Sequence, residues 1–412
     1  MQMGKPRVAA VLPAGGCGER MGVSTPKQFC TILGRPLISY TLQAFERVSW
    51  IKEIVVVVVA DQIDLMQSII HKYGHKRVIL AQGGTARHRS ILNGLKLLAA
   101  SESSQLTKPD VVIIHDAVRP FVEEDVLLKV MVAANEHGAA GVVRPLVSTI
   151  IASTEDACLH YSLDRASHRA SEMPQAFQFD AIFQAYLQCS NHDLDFGTEC
   201  LQLALKYSNK SAKLVEGPSD LWKVTYSRDL FAAESLIKDE LSQHVCLVTE
   251  MREDAVQVGF LLHDALKAQG KQVKGISPSL CKNVCQVQTL FKGKACYNFI
   301  CINKKESGFE ETQQVVDVLG NSSLPVLYPV LLVSVHLFTP EDPPFGSKLQ
   351  ELAAIREVSM EAKKKNIWVY GLVIHLTKVE QQLQETVGRG TAIITALIKD
   401  RCDTLTGQLL VA

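Results

Sequence analysis

Between Leu12 and Gln28 the chain concentrates residues suited to holding phosphate. The run Leu12-Pro13-Ala14-Gly15-Gly16-Cys17-Gly18-Glu19-Arg20-Met21 is followed by Pro26-Lys27-Gln28. Glycines let backbone N–H groups point at an anion with no side chain in the way. An arginine fork at Arg20 and a lysine point charge at Lys27, a few residues downstream, suit a triphosphate. Two commoner phosphate loops are absent from the sequence. No GxxxxGK followed by Ser or Thr occurs, and Gly16-Cys17-Gly18 runs into Glu19-Arg20-Met21-Gly22, one residue too long for GxGxxG. A second polar knot, His115-Asp116-Ala117-Val118-Arg119-Pro120, closes the apolar run that starts at Val111. Asp116 and Arg119 thus stand just past a strand end, where α/β sheets place ligands.

The elements that must position these residues follow a strand–helix rhythm. Val8 to Leu12, Ile54 to Ala60 with its five consecutive valines, Val78 to Ala81, Val111 to His115 and Ala139 to Arg144 read as strands. Leu37 to Val48, Gln62 to Tyr73, His88 to Ala100 and Glu124 to His137 read as the helices between them. This alternation predicts a parallel α/β sheet covered on both faces. From Pro145 to Phe179 the pattern breaks into short extended pieces, a β-arm inserted in the α/β domain. Phe183 to Cys189 and Thr198 to Tyr207 read as helices, Lys213 to Glu216 and Trp222 to Val224 as short strands, and Arg228 to Ser242 as a closing helix. A second α/β unit follows, with strands at Val245 to Thr249, Cys296 to Asn303, Val326 to His336, Ile367 to His375 and Leu409 to Val411. Its helices are predicted over Val256 to Gln269, Glu310 to Leu319, Glu351 to Lys365 and Thr391 to Arg401. The expected domains are 1–242, with the arm at about 145–179, and 243–412.

Composition excludes several classes of function. Lys plus Arg and Asp plus Glu balance at 43 each, so no global field draws the chain to nucleic acid or to an anionic membrane. Any anionic ligand must be held by a local cluster of cations. No run reaches the roughly 20 apolar residues of a membrane span, and the first residues do not form a signal peptide. The eleven cysteines are scattered; Cys281 and Cys285 are spaced CxxxC with no second pair at zinc-site distance. Such usage fits free thiols in a reducing cytosol.

The glycine loop resembles that of the 2-C-methyl-erythritol-4-phosphate cytidylyltransferases of isoprenoid synthesis and their relatives, the ribitol-5-phosphate cytidylyltransferases. The family's PAAGxGxRM and PKQ stand here as PAGGCGERM and PKQ. Further matches follow in order: Gly83-Gly84-Thr85-Ala86-Arg87-His88-Arg89-Ser90, His115 to Pro120, Leu163-Asp164-Arg165, Pro174-Gln175, Val215-Glu216-Gly217 and Lys223-Val224-Thr225. The resemblance covers roughly Val8 to Ile237. It implies an N-terminal Rossmann-like nucleotidyltransferase domain that transfers CMP from CTP to a polyol phosphate and releases pyrophosphate. It implies that Arg20 and Lys27 stabilise the transition state and that Lys223 steadies the attacking phosphate. Pro13, Ala14, Gly15, Gly16 and Gly18 would cradle the triphosphate, and Gly84, Thr85 and Ser90 would form the cytosine pocket, although the family often has Asp at the position of Thr85. Asp116 and Arg119 would face the polyol phosphate. Thr149 and Arg165, on the arm, would reach the substrate of a partner subunit, which predicts a homodimer. Asp116, with Asp220 as a helper, would approach Mg²⁺.

The acceptor side departs from the isoprenoid enzymes. Met173-Pro174-Gln175 stands for Thr-Pro-Gln, and Gly197-Thr198-Glu199 for a Thr-Asp-Glu triplet. Losing two hydroxyls implies a changed acceptor with the CTP chemistry retained. The fused second α/β unit points to the ribitol-5-phosphate branch, whose animal members make CDP-ribitol for the O-mannosyl glycan of dystroglycan. Another polyol or pentose phosphate, such as methylerythritol 4-phosphate, is the alternative acceptor. The C-terminal unit reads as Rossmann-like, but Glu250-Met251-Arg252-Glu253-Asp254 after its first strand is acidic and lacks glycine, and position 374 is Ile374 where a short-chain dehydrogenase with Tyr370 needs Lys. A structural, dimer-supporting or partner-binding role is therefore expected for it. A reductase–transferase fusion and a degenerate nucleotide-binding scaffold are the competing readings. The second predicts loss of Arg20, Lys27 or Lys223, and all three are present.

Overall fold

The computed structural model describes residues 6–16, 18–22, 24–100, 107–249, 253–276, 296–303, 309–320, 328–339 and 346–412. Its contacts divide the chain into two compact units, Met1–Phe231 and Ala232–Ala412. The division falls inside the helix Ser227–Ser242, upstream of the expected boundary at that helix's end.

The first unit is built on seven strands: β1 (Val8–Pro13), β4 (Ile51–Val58), β5 (Val78–Gln82), β6 (Val111–Ile114), β7 (Ala139–Pro145), β10 (Arg169–Gln178) and β11 (Lys213–Glu216). A two-residue hairpin, β2 (Thr31–Ile32) with β3 (Arg35–Pro36), and an outlying pair, β8 (Ile151–Ser153) with β9 (Leu159–Ser162), complete the set. The sheet order is β11-β7-β10-β6-β1-β4-β5. The run Ile54 to Val58 is wholly buried because helices cover both faces of the sheet. Along β1, Ala10 and Leu12 pack on one side with α1 (Leu37–Arg47), α2 (Ile63–Lys72) and α4 (Glu124–His137). Ala9 and Val11 pack on the other with α3 (Arg87–Ala99) and α5 (Phe179–Gln188). Gly94 lets α3 lie close on the sheet: a Cβ there would stand 2.8 Å from Val11 Cγ1. From β1 the chain winds outward through β4 to β5 and then crosses back to β6 on the other side of β1, and this reversal opens a crevice at the carboxyl ends of these strands.

The sheet is mixed rather than all parallel, because β10 runs antiparallel to both β6 and β7. The expected arm at 145–179 is accordingly shorter. Its second half returns as the ten-residue β10, and only the stretch carrying β8 and β9 stands out from the sheet. Glu172 and Met173-Pro174 hid this strand by interrupting its apolar pattern. Trp222 to Val224 is not a strand but a loop, tied by Val224 N–H donating to Val118 O at 3.1 Å. A short helix, Asn191–Phe196, capped by the Ser190 hydroxyl accepting from Asp193 N–H, was not anticipated.

The second unit is a six-stranded, all-parallel sheet in the order β13-β12-β14-β15-β16-β17. Its strands are β12 (His244–Val248), β13 (Gln272–Ile276), β14 (Asn298–Ile302), β15 (Val330–Phe338), β16 (Ile367–His375) and β17 (Leu409–Val411). β13 escaped the sequence reading because it is short and carries Lys274 and Gly275. The last helix runs over Glu380–Asp400, well before the expected start at Thr391. Its polar first turns, with Gly388 and Gly390, gave no apolar stripe. Cys281 and Cys285, and Glu250, Met251 and Arg252 of the acidic loop, lie outside the described residues.

Candidate active site

A cavity of about 300 Å³ sits at the carboxyl ends of the central strands of the first sheet. Pro13, Ala14, Gly15 and Gly16 form one wall, continuing β1. The loop is held from behind: Ala14 N–H donates to Val57 O at 2.8 Å, and the buried Gln28 amide donates to Ala14 O at 2.7 Å. Gly18 adopts φ +75°, and a Cβ there would stand 3.1 Å from Lys27 N, so glycine is what lets the loop fold back onto the lysine turn. Lys27 lies on the cavity wall. Arg20, on the single turn Glu19–Met21, is exposed and off that wall, yet close enough to act on Lys27 electrostatically.

Gly84, Thr85 and Ser90 line the opposite side, with Ala86 and Arg87 at the head of α3. The Ser90 hydroxyl accepts from Gly84 N–H at 3.1 Å, which fixes the turn between β5 and α3.

Asp116 is the electrostatic centre of the floor. Its carboxylate meets Arg87 Nη2 at 3.2 Å, Lys223 Nζ at 3.1 Å and Arg119 Nε at 3.2 Å. Burial alone would raise its pKa; the three cations, Arg87 foremost, hold it well below the usual carboxylate range. Lys27 moves the other way, down to about 8, first because burial disfavours its charge and then because Lys223 repels it. His115, beneath this floor, is pushed down to about 4 by burial and is neutral. Its Nε2–H donates to Arg119 O at 2.9 Å and fixes the loop.

Not every expected site residue reaches the cavity. Gly18 and Arg20 are off its wall. Arg119 is buried beneath it, its Nη1 donating to Glu172 and to Leu221 O, so it braces three segments instead of presenting a free fork. Asp220 is exposed, accepts from the Ser219 hydroxyl and is absent from the cavity wall. Thr149 and Arg165 stand on the exposed arm, where Arg165 donates to Val147 O at 3.4 Å. Arg87 and Gln28 are the functional residues that sequence reasoning passed over. Both sit inside recognised motifs, but only the fold shows Arg87 bridging Asp116 and the Cys200 sulfur, 3.4 Å away. Behind it, the Cys200 thiol meets the Tyr186 hydroxyl at 3.4 Å, and that hydroxyl meets His88 Nδ1 at 2.7 Å.

Asp116 already serves three cations and Asp220 is elsewhere, so these residues do not make a protein cage for Mg²⁺. Among the described residues no group of three or more His, Cys, Asp or Glu forms a metal site. A glycine loop facing a cavity ringed by Lys27, Arg87 and Lys223 is the equipment of a nucleotidyltransferase.

Residues 8–239 match the family model for 2-C-methyl-D-erythritol 4-phosphate cytidylyltransferase, and residues 243–391 match that for the D-ribitol-5-phosphate cytidylyltransferase C-terminal domain. The chain belongs to the 2-C-methyl-D-erythritol 4-phosphate cytidylyltransferase family. It is 61% identical over 408 residues to the D-ribitol-5-phosphate cytidylyltransferase of Xenopus tropicalis, covering 98% of each chain. It is 58% identical to the protein of that name from Homo sapiens, covering 98% of this chain and 90% of the relative. The 2-C-methyl-D-erythritol 4-phosphate cytidylyltransferase of Clostridium acetobutylicum is 31% identical over 231 residues, covering 56% of this chain and 96% of that one.

Proposed function

We propose that this cytidylyltransferase transfers CMP from CTP to D-ribitol 5-phosphate, giving CDP-ribitol and pyrophosphate. The observation that carries the acceptor is the extent of similarity. Relatives named for ribitol 5-phosphate align through both units, whereas the methylerythritol 4-phosphate enzyme aligns over only 56% of the chain.

The chemistry follows from the site. An oxygen of the acceptor phosphate forms a bond to the α-phosphorus of CTP, and the bond from that phosphorus to the bridging oxygen breaks. The electron pair leaves with pyrophosphate. The backbone of Pro13 to Gly16 and the Lys27 ammonium hold the triphosphate, with Arg20 closing from the exposed side. Lys223, anchored on Asp116, holds the incoming phosphate. Positioning and charge neutralisation do the work, and no side chain needs to become covalently attached. A divalent cation, when bound, would come with CTP and neutralise its phosphates.

The arm supports a homodimer. Val147 and Leu159 are 82% and 66% exposed, an apolar surface that a second copy would cover, bringing Thr149 and Arg165 to the partner's acceptor. No described helix is long and apolar enough to cross a membrane. Free cysteines fit a cytosolic enzyme supplying CDP-ribitol for the dystroglycan glycan.

The test is pyrophosphate release with CTP, Mg²⁺ and, in turn, ribitol 5-phosphate, ribulose 5-phosphate and methylerythritol 4-phosphate. Preference for the first supports the assignment. Preference for methylerythritol 4-phosphate replaces the acceptor and leaves the transferase intact. No release with any, in a folded protein that binds CTP, removes it.

A further inference from the structure

Glu172 is a carboxylate that the reaction, as described, does not use. It lies in an irregular stretch of β10. Ser171 pairs with Val143 and Gln175 with Gly141, so Glu172, Met173 and Pro174 fall outside the regular register with β7. One carboxylate oxygen, Oε2, accepts from Arg119 Nη1. Arg119 is itself bonded through Nε to Asp116 Oδ2, the same oxygen that holds Lys223 at 3.1 Å. Glu172 is therefore one guanidinium away from the lysine that receives the acceptor phosphate.

Two features argue against a purely structural ion pair. The side chain keeps 18% of its surface exposed, and among the described residues its Oε1 has no hydrogen-bond partner. Its charge also opposes the rest of the site. Lys27, Arg87 and Lys223 complement phosphate, whereas a second carboxylate close to them weakens phosphate binding. A negative group there is useful if the acceptor brings hydrogen-bond donors with its phosphate, as a chain of hydroxyls does. A carboxylate only accepts, and it bonds hydroxyls strongly.

Resting on the acceptor class assigned above, we propose that Glu172 is a specificity-determining residue that accepts hydrogen bonds from the hydroxyls of the polyol phosphate, with Arg119 as its positioning residue. The same charge discriminates against acceptors carrying a second anionic group in place of those hydroxyls.

The test compares wild type with Glu172→Gln, whose amide oxygen can still accept from Arg119. The acceptors are ribitol 5-phosphate and pentyl phosphate, which lacks the hydroxyls. Glu172→Gln should raise KM for ribitol 5-phosphate by about tenfold or more, the size expected for losing a charged hydrogen bond. KM for CTP and the melting temperature should stay near wild type, and the preference for ribitol 5-phosphate over pentyl phosphate should shrink by the same factor. Unchanged acceptor KM would overturn the proposal. So would an equal loss with both acceptors accompanied by a changed KM for CTP, the mark of a structural role. Should Glu172→Gln not fold, Glu172→Asp, which keeps the charge and withdraws it by one methylene, carries the same comparison. A wild type inactive with every polyol phosphate would defeat the proposed function as well. Activity of the wild type with ribitol 5-phosphate alongside an indifferent Glu172→Gln would defeat this inference alone.

Discussion

The carboxyl ends of the central parallel strands in the two units carry different kinds of polar cluster. In the first unit, Asp116, Arg87, Arg119, Lys223 and Lys27 are charged, and cations outnumber carboxylates beside an open cavity. In the second, Asn303, Thr312, Ser334 and His336 are neutral, buried and closed on one another. The Thr312 hydroxyl meets Asn303 Oδ1 and Ser334 Oγ at 2.7 Å each, and Ser334 Oγ meets His336 Nε2 at 3.0 Å. Burial pushes His336 down to about 4, which keeps it uncharged. A cluster with surplus charge is completed by a ligand, whereas a neutral satisfied cluster is complete by itself and fixes the packing of strand on helix.

The largest effect that would break this contrast is at Lys27 or Lys223. Alanine at either should lower turnover by about two to four orders of magnitude with the melting temperature near wild type, measured by pyrophosphate release. Near-normal turnover in a folded variant would remove the mechanism. Arg87→Ala leaves Asp116 with two cations and frees Cys200. A fall in kcat/KM of about 10- to 100-fold is expected, with little recovery in Arg87→Lys because a point charge cannot serve both partners. Lys27 must be protonated to hold phosphate, and its cation is lost as pH rises through about 8. In the free enzyme kcat/KM for CTP should therefore be level below that pH and fall about tenfold per unit above it. Lys27→Arg should shift the fall upward, since a guanidinium stays charged. The smallest catalytic effect belongs to the second cluster. Thr312→Val should cost about 1–3 kcal/mol of stability in denaturant unfolding while turnover per folded molecule is unchanged. A large loss of turnover there would erase the distinction between the two regions.

Most of the cavity wall was legible in the sequence. Pro13 to Gly16, Lys27, Gly84, Thr85 and Ser90 are local to two loops, and loop chemistry within a few residues is written in the order of residue types. The strand run Ile54 to Val58 was equally plain, because burial on both faces demands an unbroken apolar stretch. What escaped was set by partners distant in sequence. β10 was hidden because Glu172 stands where an apolar residue would complete the pattern, and the cation it meets there, Arg119, lies 53 residues away. Arg119 was expected to face the polyol phosphate, yet its Nη1 is engaged by Glu172 and Leu221 O.

By itself, then, the sequence determined the two α/β units, the phosphate loop and the kinds of charge the site holds, since periodicity and short motifs depend on neighbours along the chain. The tertiary structure decided which charges meet. It set Arg87 and Lys223 on one carboxylate, turned Arg119 inward and left Thr149 and Arg165 on an outlying arm. Those choices depend on distances between segments far apart in the chain, which only the folded sheet fixes.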